Sequence, residues 1–287
     1  MKKYLALFSL SLLLPSCKTI DYRNTIFVSV YPIYDFTKRI AKDSYDIHLL
    51  TPCGQEPHDY EPTAREIGGL SDAPLLLLNG LGIDSWSESL PDSLAKKSRT
   101  VTDSIETKTI NGVVDPHVWL SVTNAIKEME NIKDILSELS PENREYFQSN
   151  YEKEKESFLE LDRQYRDELR DLRTHYLVVS HAAFGYLEEY GLRQIYLSGL
   201  EPDSTPTAKQ TEAIIESMKE YQITTVFYEE TVSPDIAKAI AKETGAKTKT
   251  LNPLESLSEE DMKNNKDYLS IMKENLEKIK EANNDTI

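Results

Sequence analysis

Four residues of this chain combine a metal-binding side chain with a rigid setting. His58 lies in the segment 52–62, Pro-Cys-Gly-Gln-Glu-Pro-His-Asp-Tyr-Glu-Pro. His117 lies in Asp-Pro-His-Val-Trp-Leu at 115–120. Each directly follows a proline, which fixes its own φ and restrains the residue before it. His181 closes an apolar run at 176–180, and Glu255 ends an Asn-Pro-Leu-Glu turn after a second run at 247–251. Three imidazoles and one carboxylate form a closed four-coordinate shell for a divalent transition metal. That nitrogen and oxygen set suits Zn2+ best, with Mn2+ or Fe2+ as alternatives if the shell opens. A metal-bound histidine passes its other ring N–H to a carboxylate or carbonyl. Asp59 and Asp115 are the candidates for that role, and Glu56 and Glu230 are further acids that would stabilise the ion. His48, alternating within a strand, and His175, in a charged approach to a strand, read as structural. Cys53 reads as a packed residue, or as a thiol close enough to His58 to influence metal choice.

These residues need a scaffold, and the pattern of the chain supplies one. Short apolar or β-branched runs at 26–30, 46–50, 75–78 and 100–102 alternate with helical spacing at 32–42, at 63–70 and from residue 86 onward. The alternation resumes with strands at 176–180, 195–197, 224–228 and 247–251. Helices are expected at 182–190, 207–221 and 233–244, with a last one carrying Leu269, Met272, Leu276 and Ile279. Between the two series lie a helix at 121–139 and a long polar one over 140–172. The fold class is therefore α/β: two similar lobes with parallel sheets, joined by one long rigid helix. The expected organisation is a first lobe over 18–139, a linker helix over 140–173 and a second lobe over 174–287. Ligands of such sheets bind beyond the carboxyl ends of the strands, so the four residues would meet in the cleft between the lobes.

Composition narrows the function. A net charge of −16 excludes nucleic acid as a partner, since phosphate binding needs a basic footprint. Lys2 and Lys3 followed by an apolar run over 4–14, too short to span a membrane, read as a signal peptide over 1–17. It ends in Leu-Pro-Ser-Cys, which resembles a bacterial lipobox and implies a lipid on Cys17. The body of the protein is then expected outside the cytoplasm, in the periplasm or at the cell surface, held to a membrane by that lipid.

The same motifs carry a family resemblance. Ser-Val-Tyr-Pro-Ile-Tyr-Asp-Phe from residue 29, Glu-Pro-His-Asp-Tyr-Glu-Pro from 56 and Asp-Pro-His-Val-Trp-Leu from 115 are three of them. Ser-His-Ala-Ala-Phe-Gly-Tyr-Leu from 180 and Leu-Asn-Pro-Leu-Glu from 251 complete the set. In order and spacing the chain resembles the zinc and manganese solute-binding lipoproteins of bacterial ABC transporters (ZnuA/TroA-like). The resemblance implies metal binding by His58, His117, His181 and Glu255, and delivery of the ion to a membrane permease, with no bond broken. His181 stands where manganese-preferring members often carry glutamate, which points to zinc. The segment 90–114 lacks the histidine-rich insertion of many zinc members. Two rival readings are a metallohydrolase, which would need an open coordination position and a general base, and a surface adhesin stabilised by metal.

Overall fold

The structure, a computed structural model, describes residues 21–202 and 204–284. The expected signal peptide and Cys17 lie outside the described residues. The first lobe is built on β1 (Thr25–Val28), β2 (Asp46–Leu49), β3 (Leu75–Leu78) and β4 (Ser98–Thr100), all parallel, in the order β2-β1-β3-β4. The four leucines of β3 are all buried, as a strand covered on both faces requires. Helix α1 (Tyr31–Ala41) covers one face, while α2 (Ala64–Asp72) and the short α3 (Asp92–Ala95) cover the other. Thr63 caps α2 through a reciprocal pair of bonds with Glu66.

The hairpin β5 (Thr109–Ile110) and β6 (Val113–Val114) then leads into His117, and α4 (Val122–Leu139) follows, capped by Ser121. Helix α5 (Arg144–Glu168) has 25 residues, about 37 Å of rigid rod. In the second lobe β7 (Tyr176–Val179), β8 (Arg193–Tyr196), β9 (Thr225–Tyr228) and β10 (Lys247–Thr250) repeat the parallel winding, in the order β10-β9-β7-β8. Helices α6 (Ala208–Glu220) and α7 (Asp235–Thr244) cover its outer face. After the short α8 (Glu259–Lys263), α9 (Tyr268–Asn284) covers the inner one.

The inner faces of the two lobes share one core. Phe36 of α1, Phe158 of α5 and Tyr268 of α9 meet there, Phe158 and Tyr268 stacked at 5.0 Å. Phe158, Leu161 and Tyr165 of α5 are fully buried against this core. Arg39 pins the same three helices at their rim. It donates to Asp35 at 2.6 Å, to Glu154 of α5 at 2.8 Å and to Asp267, just before α9, at 2.6 Å.

Four local expectations change. The helical stretch from Trp86 is a 3-10 turn over Ser85–Ser89, cut short before Pro91, and the nearby strand begins at Ser98 rather than Thr100. The linker is regular only to Glu168. Residues 182–190 form 3-10 turns broken at Phe184 instead of an α-helix. Gly185, next to the break, lets this segment approach the first lobe closely: a Cβ there would meet Asp115 Oδ2 at 2.9 Å. The hairpin was legible in Asn111-Gly112, whose φ values of 53° and 84° are those of a tight type I′ turn.

Candidate metal centre

His58 follows β2, His117 follows the hairpin, His181 follows β7 after Ser180, and Glu255 follows β10. The two lobes thus bring two residues each to the carboxyl side of their sheets. Their ligand atoms all lie within 4.8 Å of one another. Nε2 of His117 is 3.3 Å from Nε2 of His58 and 3.5 Å from Nε2 of His181. Oε1 of Glu255 lies 2.6, 3.1 and 3.7 Å from the Nε2 atoms of His117, His181 and His58. A tetrahedral zinc centre has ligand–ligand edges of roughly 3.3 Å, close to these separations. His117 and His181 are fully buried, and the side chains of Glu255 and His58 are 3 % and 6 % exposed.

Two rings are oriented from behind. His117 Nδ1 donates to Asp115 Oδ1 at 2.7 Å, and His117 N donates to the same oxygen at 3.0 Å. His181 Nδ1 donates to Glu229 Oε1 at 2.7 Å, and the Ser180 hydroxyl donates to that oxygen at 2.5 Å. The Asp115 turn is anchored in its turn. Asn79, at the end of β3, donates to Pro116 O at 3.2 Å, and the Tyr186 hydroxyl donates to Asp115 O at 2.9 Å. Trp119 packs edge-on against His117 and donates from Nε1 to Pro253 O at 2.7 Å, joining the His117 and Glu255 loops across the cleft. Ser256 joins the same loop to the His58 segment by accepting from Gly54 N at 2.8 Å.

These contacts set the charges. Burial alone disfavours a charged His117, but hydrogen bonds to Asp115 and Glu255 overcome it and raise the ring to about 9. His181 follows the same pattern: burial opposes the charge, and Glu229 and Glu255 win, holding it well above the usual imidazole range. Glu255 is held well below the carboxylate range against its own burial, by His181 and His117 above all. Glu56 is pushed up to about 8, by burial first and by the charge of Glu255 second.

The structure converges His58, His117, His181 and Glu255, and it puts Asp115 behind His117. It does not bring Asp59 to the site. The turn closed by Tyr60 N donating to Pro57 O leaves Asp59 exposed, and among the described residues no hydrogen bond links it to a site ring. Glu56 takes the nearby role, accepting from His58 N at 3.2 Å. Glu229 is the residue that sequence reasoning missed, having named its exposed neighbour Glu230 instead. His48 packs against Phe27 at 4.7 Å, and burial lowers its ring; Cys53 is exposed and outside the ligand set.

The family described as "Zinc-uptake complex component A periplasmic" matches residues 26–282. The chain belongs to this family. It is 36 % identical over 284 residues to the zinc-binding lipoprotein AdcA of Streptococcus pneumoniae, covering 92 % of this chain and 57 % of AdcA. It thus spans little more than half of that relative. It is 34 % identical over 276 residues to the high-affinity zinc uptake system protein ZnuA of Bacillus subtilis, covering 90 % of this chain and 86 % of ZnuA. The Zn(II)-bound ZnuA-like domain of S. pneumoniae AdcA superimposes with a TM-score of 0.81 at 37 % identity, over 92 % of this chain and 100 % of that domain.

Proposed function

We propose that this protein captures a divalent transition-metal ion outside the cytoplasm, Zn2+ in preference to Mn2+ or Fe2+, and hands it to the permease of an ABC transporter. His58, His117, His181 and Glu255 are the ligands. The observation that carries this reading is the convergence of three Nε2 atoms and one carboxylate oxygen from both lobes into one buried cluster. A four-coordinate nitrogen-rich shell favours zinc over manganese, which prefers six oxygen-rich positions. Hydrolysis is disfavoured because Glu255 fills the position a reactive water would need. The ion is cargo, and the protein's work is to bind it, exclude water and let it go. Among the described residues no helix is long and apolar enough to cross a membrane. The Leu-Pro-Ser-Cys motif at 14–17 assigns membrane attachment to a lipid on Cys17, and the lobes are assigned to 18–139 and 174–287 around a linker over 140–173.

Release is assigned to the loops. The shared core and the Arg39 rim oppose wide separation of the lobes, whereas the His58 segment is tied to the second lobe by few polar contacts, Ser256 among them. The test is a competition titration of metal-stripped soluble chain beginning at Lys18, with Zn2+ and Mn2+ offered together and bound metal read by native mass spectrometry. One Zn2+ per chain is expected, lost in His58→Ala and His181→Ala variants that stay folded. Absence of any stoichiometric metal would refute the proposal, and preference for Mn2+ would reassign the cargo. A stripped protein that unfolds would instead indicate a metal kept for structure.

A further inference from the structure

Behind Glu255 the structure has a cavity of about 190 Å³. Its wall includes Glu255 itself, Glu229 that orients His181, and Glu56 beneath His58. Of the four ligands the cavity touches Glu255 directly, and it reaches the residues that back His181 and His58 through Glu229 and Glu56. A neighbouring groove on the outer surface of the His58 loop, lined by Glu56, Asp59, Glu61 and Glu66, is bounded by none of the four ligands.

One carboxylate in this wall is incompletely satisfied. Glu229 is 1 % exposed, and its Oε2 has no hydrogen-bond partner. A buried carboxylate oxygen without a donor is costly, so it calls for a visitor that brings one. A hydrated cation brings donors in its water shell. Glu230 adds an exposed carboxylate to the lining. The two lysines of the wall are engaged: Lys266 pairs with Asp261 and Glu274, both at 3.0 Å, and Lys278 donates to Thr250 Oγ1 at 3.2 Å. Among the described residues the cavity offers no second cluster of close-packed ligand atoms. An ion held here keeps its water.

We propose that this cavity is the antechamber and doorway of the site: a hydrated divalent cation is held among its carboxylates and loses water as it passes Glu255 to the histidines. The proposal rests on the capture reading above. The wall belongs to both lobes, with Gly54 to Glu56 on one side and the loop ending in Ser256 on the other. The bond from Gly54 N to Ser256 Oγ is a latch between them. A small movement of that loop widens the passage while both sheets stay in place.

The test follows zinc binding to the stripped soluble chain by stopped-flow, with Trp119 beside His117 as the fluorescent reporter, and zinc loss after mixing with excess chelator. Thr231→Trp places a ring in the exposed part of the wall. A plug raises the barrier equally in both directions, so association and dissociation should both slow by about tenfold while Kd stays within about twofold. Glu230→Lys should lower the association rate by about tenfold and weaken its dependence on salt. Glu61→Lys, in the neighbouring groove, should leave both rates unchanged. Wild-type rates in both cavity variants, or slowing only in Glu61→Lys, would overturn the doorway while leaving capture intact. A wild-type chain that takes up no zinc at equilibrium would overturn the capture reading, and the doorway with it.

Discussion

Loading this site with zinc should expel about two protons at pH 7. His117 has Asp115 Oδ1 at 2.7 Å from Nδ1 and Glu255 Oε1 at 2.6 Å from Nε2. His181 has Glu229 Oε1 at 2.7 Å and Glu255 Oε1 at 3.1 Å. A ring with an acceptor at both nitrogens satisfies them only as an imidazolium, with two N–H donors. Zinc needs the Nε2 lone pair, so the Nε2 proton leaves each ring while the Nδ1 proton stays on its carboxylate. Below about pH 9, where His117 loses that proton by itself, log affinity should climb with a slope approaching 2. That is roughly 2.7 kcal/mol per pH unit. Calorimetric titration at pH 7 in buffers of different ionisation enthalpy counts the protons directly. Release of fewer than one proton per ion, or an affinity flat between about pH 6.5 and 8, would refute the reasoning. The sign for stability is worked the same way. A raised folded pKa means that the His117 pairs stabilise the ion-free chain fully below about 6.5 and lose that contribution as pH rises through about 9. The zinc-loaded chain runs oppositely and weakens in acid, so the rise in Tm on adding zinc should grow with pH.

Glu229→Gln keeps an acceptor for His181 Nδ1 but removes the charge, and zinc affinity should fall by about 10- to 100-fold with the circular dichroism spectrum unchanged. Arg39→Met strips three carboxylates of their shared partner, two of them nearly buried; urea unfolding should show a loss of roughly 3 kcal/mol. Glu128 is fully buried with neither oxygen hydrogen-bonded, and burial holds it protonated far above its usual 4.5. The folded state therefore keeps a proton that the unfolded chain releases, and stability falls as pH rises. Glu128→Gln removes that penalty, so its advantage over wild type should widen by about 1.4 kcal/mol per pH unit above pH 4.5, read by urea unfolding at several pH values.

Much of the site was legible because its chemistry is local. Asp115 and Glu56 each stand two residues before a histidine with a proline between, and each accepts that histidine's backbone N–H. The acid-proline-histidine spacing is thus itself a signal, and it favours these acids over Asp59, which follows its histidine and turns outward. Glu229 was hidden by its neighbour. Only the alternation of faces beyond β9 decides which of two adjacent glutamates looks inward, and the run Thr225 to Tyr228 has no alternation of polar and apolar residues to show that phase. The four-leucine run of β3 announced a covered strand. The 182–190 segment misled because its apolar spacing imitates a helix, while the chain breaks at Phe184, whose N–H is taken by Gln194 Oε1 at 3.0 Å rather than by a helical carbonyl. Tertiary contact of that kind leaves no mark on local periodicity.

The stacking of Tyr268 on Phe158 and its bond to Trp119 O at 2.6 Å also govern how the chain is born. Helices α1, α4 and α5 cover the inner side of the first lobe, but the core they share with the second lobe closes only when α9, more than two hundred residues after β1, has been made. Neither lobe made separately should be soluble, and the whole should melt in one step rather than two. The last helix therefore acts as the keystone of the chain, coupling the completion of one lobe to the completion of the other.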